Sequence, residues 1–256
     1  MFIAAFVFIF SGIMILNYCL ELHSGNKFSE SITEEAVVEK PEQVFEETFE
    51  DEETPDAHAQ PQKSETAPIQ VDFDLLHAQN KDIIAWIYCP DTPINYPIVQ
   101  TADNEFYLRR LLDGSYNMAG TLFMDFRNSA DLSDWNSIIY GHNMKNDSMF
   151  GTLPLYEEQA YFDEHPVIYL LTPEKDYKIN IFSGFVTPAS SEFYNILDPD
   201  REEKESILKS WLDSSDFESG IEPSLDEHFI TLSTCSYDYS DARYVVIGIL
   251  EELDKT

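Results

Sequence analysis

The chain has 256 residues, 43% hydrophobic and 14% aromatic, enough for one domain of ordinary size with a substantial core plus appendages. Its 15 basic and 48 acidic side chains give a formal net charge of −33, a field that repels phosphate backbones and argues against a nucleic-acid partner. The acidity is spread along the chain: residues 1–68 carry 3 basic and 14 acidic side chains, and residues 69–256 carry 12 and 34.

The chain opens on "MFIAAFVFIFSGIMILNYCL", twenty residues without a charge, the length of a membrane-crossing helix. A cleaved signal peptide would show a basic start, a shorter apolar run and a small-residue cleavage site, none of which is clear. Residues 1–22 therefore read as an uncleaved, single-pass anchor in the cell membrane, with the remainder extracellular. Residues 23–68 are rich in Glu, Pro, Ser and Thr with little apolar periodicity, and read as a flexible, self-repelling acidic linker. The competing reading, an acidic helix across "SITEEAVVEKPEQVFEE", is interrupted by Pro41.

From residue 69 the texture becomes that of a folded domain, taken as 69–256. "DFDLLHAQNKDIIAWI" predicts a helix with Phe73, Leu75 and Leu76 on one face and Asp72 as its N-cap. Eight short strand candidates follow: "AWIYCP", "INYPIVQ", "GTLFMDF", "NSIIYGH", "VIYLLT", "YKINIFSGFVT", "HFITLST" and "RYVVIGIL". Their β-branched and aromatic content and regular spacing predict a barrel or a sandwich. Helical candidates interrupt them at "NEFYLRRLL", within "SMFGTLPLYEEQAYFDEH", and at "DPDREEKESILKSWLDSS". The last has Ile207, Leu208, Trp211 and Leu212 on one side. The fold class is thus α+β, mainly β: a mixed barrel with peripheral helices.

The three cysteines, Cys19, Cys89 and Cys235, form neither a disulfide framework nor a CxxC metal pattern, although a Cys89–Cys235 bridge stays open. Cys235 ends an alternating apolar strand, and Arg243 opens the next strand after the loop Ser236–Ala242. If the two strands pair antiparallel, thiol and guanidinium meet across the loop mouth, where Arg can lower a thiol pKa and donate to an oxyanion. A buried, inert Cys beside a surface Arg is the bland alternative. A second strand-end group shifts the balance: His142 follows "NSIIY" and Gly141, well placed for proton transfer. The other histidines lack ligand spacing, so neither a metal nor a cofactor is expected. Cys, His and Arg together describe acyl transfer through a thioester.

"TLSTC" followed by Arg243, with "YGHN" upstream, resembles the sortases, the cysteine transpeptidases of Gram-positive cell surfaces, and most closely class B. The resemblance covers roughly residues 70–252, including "YPIVQTADNEFYL", "GTLFMDFRN" and "IIYGHNMKNDSMFGTL". It implies an eight-stranded barrel with a long helix before the Cys strand. Cys235 would be the nucleophile, His142 the proton-transfer partner and Arg243 the oxyanion stabiliser. Asn104, Leu108, Tyr140, Tyr194 and Ser233 would line the substrate groove.

The implied substrate is a surface protein with a C-terminal sorting signal, cleaved after Thr. The implied acceptor is an amine on a peptidoglycan precursor or a pilin. Ser236 stands where some class B members have an acidic residue, and the Cys-to-Arg loop is shorter than in some members. A surface cysteine protease with water as acceptor, or a non-catalytic surface binding module, are the rivals. The Cys-before-His order of papain-like proteases is reversed here.

Overall fold

A computed structural model describes residues 2–40, 66–194 and 199–255; the side chains of residues 2–6, Phe8 and Phe193 are outside that description. Eight strands close into a barrel: β3 (Ile83–Tyr88), β4 (Asn95–Val99), β5 (Leu122–Met124), β6 (Asn136–Tyr140), β7 (Val167–Leu171), β8 (Asp176–Pro188), β9 (Phe229–Cys235) and β10 (Ala242–Leu253). They are the eight candidates read from the sequence. Around the barrel the order is β10-β8-β7-β3-β4-β5-β6-β9, so a barrel and not a sandwich is formed. Two seams are parallel, β4 with β5 and β6 with β9; the others are antiparallel.

The strands read as near-continuous apolar runs because much of the barrel is covered outside as well as filled inside. Ile87, Ile98, Leu122, Ile139, Ile230, Leu232, Tyr244 and Val246 belong to the cluster that fills the interior. Outside, helix α4 (Arg201–Ser214) lays Leu208 and Trp211 against Phe182, Phe229, Val245 and Ile247, with Trp211 stacked on Trp135 at 5.5 Å. Leu212, expected on the same side, is exposed, because it falls off that narrow stripe. Asp200 caps α4: its carboxylate accepts from the Glu203 N–H, and the Glu203 carboxylate accepts from the Asp200 N–H. Helix α2 (Phe73–Gln79) forms as expected, with the Asp72 carboxylate accepting from the Leu75 N–H.

The N-terminal region departs from the flexible linker expected over 23–68. Helix α1 runs unbroken over Phe2–Ala36, and β1 (Val37–Glu39) pairs antiparallel with β2 (Ile69–Val71). The reason is a stripe at helical spacing: Phe28, Ile32 and Ala36 pack with Leu76, Val99, Leu112 and Ile69 over one outer face of the barrel. Residues 41–65 of the expected linker lie outside the described residues. Among the described residues no helix is long and apolar enough to cross a membrane.

Ile32 is 4% exposed. Ile32→Ala should therefore cost roughly 2–4 kcal/mol and lower Tm by about 5–10 °C, measured by calorimetry on the domain. A chain that starts at Ile69, lacking this helix and the partner of β2, should melt lower than one that starts at Ser24.

Candidate active site

The antiparallel register of β9 and β10 sets Cys235 directly opposite Arg243. The Ser236 N–H donates to the Ala242 carbonyl at 2.9 Å. The next pair, Cys235 with Arg243, is therefore of the non-hydrogen-bonded kind, with Cα atoms about 4.5 Å apart and both side chains on one face. Arg243 Nη1 donates to the Ala242 carbonyl at 3.0 Å. No carboxylate among the described residues pairs with it.

On the other edge of β9, β6 runs parallel to it with Tyr140 level with Ser233. The chain beyond Tyr140 stays stitched to β9. The Gly141 N–H donates to the Ser233 carbonyl at 3.1 Å, the Thr234 hydroxyl to the Gly141 carbonyl at 2.9 Å, and the Asn143 side-chain amide to the Cys235 carbonyl at 2.7 Å. His142 is held between these bonds and so reaches the same rim as Cys235. Gly141 makes the close approach feasible: a Cβ there would collide with Leu122 and Phe150, both fully buried.

His142 Nε2 lies 2.7 Å from the Leu108 carbonyl oxygen. A carbonyl only accepts, so Nε2 carries the proton and Nδ1 is the ring nitrogen left for proton transfer. Burial pushes the imidazole below its ordinary pKa; the Leu108 carbonyl opposes that shift and the charge on Arg109 adds to it.

A cavity of about 350 Å³ opens here, and its lining contains every site residue read from the sequence: Asn104, Leu108, Tyr140, His142, Tyr194, Ser233, Cys235 and Arg243. The structure also adds what the sequence reading missed. Asp125, fully buried just past β5, holds the groove wall together. Arg127 Nε and Nη2 donate to its two oxygens at 2.8 and 2.7 Å, Tyr140 O–H donates at 3.0 Å, and Asn104 Nδ2 donates at 3.2 Å. Arg127 Nη2 also donates to the Tyr194 carbonyl at 2.7 Å.

Burial alone would raise the Asp125 carboxyl, but the bonds from Arg127 and Tyr140 outweigh it and hold the group below the usual carboxylate range. Asn104 Oδ1 accepts from the Phe126 N–H, so both ends of this amide are committed to protein. Tyr194 and Ser233 share a hydroxyl–hydroxyl bond of 2.8 Å, and burial pushes the Tyr194 phenol up to about 12. Asp125 follows an apolar strand just as His142 does, and that placement was the available signal.

Cys89 is a different kind of thiol. It is 1% exposed inside the barrel, and burial pushes it up to about 11. All three cysteines are unbridged, so the open Cys89–Cys235 disulfide does not form.

The Sortase domain family matches residues 87–251. The chain belongs to the sortase family. It is similar to sortase B of Listeria monocytogenes, at 34% identity over 177 residues, covering 68% of this chain and 72% of that protein. It is also similar to sortase B of Staphylococcus aureus, solved as a sortase B–substrate complex: TM-score 0.67, 29% identity, covering 71% of this chain and 85% of that one. Sortase B from B. anthracis superposes with TM-score 0.65 at 35% identity, covering 70% and 84%. This sortase is of class B, and sortases are cysteine transpeptidases associated with the cell surface.

Two outcomes follow for this sortase. Asp125→Asn leaves the half-buried Arg127 guanidinium beside a neutral amide, where solvent screens part of the lost attraction. It should cost on the order of 1–2 kcal/mol in chemical denaturation and lower kcat/KM by loosening Tyr140 and Tyr194. His142, whose pKa is depressed in the fold, should titrate by NMR below the ordinary value of about 6.5. Its contribution to stability is complete above that unfolded-state value and is lost as pH falls through the folded one. The acid limb of kcat/KM should share the lowered midpoint.

Proposed function

We propose that Cys235 is the nucleophile, His142 the proton carrier and Arg243 the oxyanion stabiliser of a transpeptidation. The observation that carries the reading is the facing pair Cys235–Arg243, with His142 on the same cavity rim. The thiol of Cys235 attacks the Thr carbonyl of a C-terminal sorting signal, and its proton passes to His142 Nδ1. The guanidinium stabilises the tetrahedral oxyanion. Collapse forms the thioester and breaks the peptide bond, with the imidazolium returning its proton to the leaving amine. An amine on a peptidoglycan precursor or a pilin then attacks the thioester, releases the Cys235 sulfur and takes the acyl group. That the Staphylococcus aureus relative was solved with a substrate supports a peptide in the same groove.

The groove residues divide by what their atoms have left to offer. Asn104, Tyr140, Tyr194 and Ser233 bond to one another or to their neighbours and shape the groove. Leu108, 40% exposed, offers the sorting peptide an apolar contact. The enzyme acts outside the cell, held at the membrane by residues 1–22. What supports this is the uncharged run of residues 1–20, some of whose side chains lie outside the described residues, together with the exposure along α1 of Val7, Ile9, Phe10, Ile13, Met14, Ile15, Leu16 and Leu20. The catalytic domain follows from residue 69, with residues 24–40 packed on it.

A sorting peptide incubated with the enzyme should give a thioester adduct detectable by mass spectrometry, and an added amine should discharge it to the amide. Discharge by water alone would make the protein a hydrolase. Cys235→Ala should abolish the adduct with the fold intact, whereas Cys89→Ala should retain it. Arg243→Lys keeps the charge but loses the planar fork, and should reduce kcat on the order of 100-fold.

A further inference from the structure

We infer that the hairpin spanning residues 109–118 is a lipid-docking surface, which seats the catalytic domain on an anionic membrane at a fixed orientation. The inference rests on the reading of residues 1–22 as a membrane anchor. Glu21 is the first charged residue of α1, so it marks the level at which the helix leaves the apolar phase. At that level the helix is fastened to the hairpin. The Asn117 side-chain amide donates to the Glu21 carbonyl and the Met118 N–H to the Glu21 carboxylate, each at 3.0 Å. Gly25, one turn on, lets Asn117 come close: a Cβ would stand 2.9 Å from its amide atoms. Because α1 is unbroken through this contact, the domain changes its height at the hairpin only by tilting together with the helix.

The hairpin presents the chemistry of a membrane interface. Arg110 and Tyr116 pair across it, and the Leu111 N–H donates to the Ser115 carbonyl. Leu111 and Leu112 are buried, whereas Arg109, Arg110 and Tyr116 are exposed, Tyr116 to 63%. In a chain of net charge −33, two adjacent arginines without a carboxylate partner among the described residues are an unusual expenditure of cations. Tyr and Arg are the side chains that settle among headgroups, and anionic lipid attracts the guanidinium. Two acids lie near the arginines and oppose this attraction: Glu21, which accepts from the Met118 N–H, and Asp113, which accepts from the Ser115 N–H and is held charged by Ser115. The residue just before the hairpin is Leu108, whose carbonyl accepts from His142, so docking braces one wall of the groove.

The test uses the full chain in nanodiscs containing phosphatidylglycerol. Cys19→Ser and Cys235→Ala remove the accessible thiols, and single nitroxides are placed at Tyr116→Cys, Ile13→Cys and Leu212→Cys. Oxygen and nickel-chelate accessibilities then report depth. The expected result is hydrocarbon at 13, headgroup depth at 116 and water at 212. Replacing phosphatidylglycerol with phosphatidylcholine, or introducing Arg109→Glu with Arg110→Glu, should move the 116 label into water while the 13 label stays. Hydrocarbon at 13 with water at 116 in the anionic discs overturns the docking surface and leaves the anchor standing. Water at both positions overturns the anchor and the docking surface together.

Discussion

The register of β10 is the constraint on which the site depends. This strand is paired on both edges, to β8 over its whole length and to β9 over residues 243–249. It is also buried on both faces: Tyr244 and Val246 enter the barrel, while Val245 and Ile247 meet α4. Arg243 shares the parity of Val245, and Cys235 that of Ser233, so both stand on the outer face where the groove lies. A slip of one residue would exchange the faces, bringing Tyr244 out and sending Arg243 inward. Four apolar side chains therefore fix the position of one guanidinium. The irregularity between Ile247 and Gly248 takes up the mismatch with β8 beyond the site.

The groove itself is rigid because its polar atoms satisfy one another. Asp125, Arg127, Tyr140 and Asn104 form one connected network, and Tyr194 joins it through its carbonyl while its phenol holds Ser233. A side chain that already has its hydrogen bonds does not need a substrate to order it. Such a wall contributes shape at little entropic cost on binding. Cys235, Arg243 and the Nδ1 edge of His142, the groups proposed to react, stand against that largely committed background.

How much of this was legible follows from where burial acts on the chain. The eight strands were visible because burial on both faces enriches them in β-branched and aromatic residues, a signal local to each segment. Cys235, His142 and Arg243 were visible because each stands at a strand boundary, where alternation stops. Asp125 sits at the same kind of boundary, yet its importance comes from Arg127, Tyr140 and Asn104 converging in space, which no spacing encodes. The helix over 24–36 was hidden by composition. Its stripe of Phe28, Ile32 and Ala36 has helical spacing, but acidic neighbours dilute the average that suggested a spacer. Strand β1 has only three residues and exists by virtue of its partner β2, far along the chain.

The two thiols of the barrel differ in a way that makes the protein its own gauge. In a chain that begins after Cys19, a water-soluble alkylating reagent meets Cys235 at the mouth of the cavity, while Cys89 is sealed among apolar side chains with its thiol held protonated. One equivalent of reagent taken up counts chains with Cys235 open to solvent. A second equivalent, taken up slowly, reports barrel opening, because Cys89 reacts only when β3 and β7 part. The same chemistry thus reads the exposure of the cavity mouth on a fast clock and the integrity of the fold on a slow one.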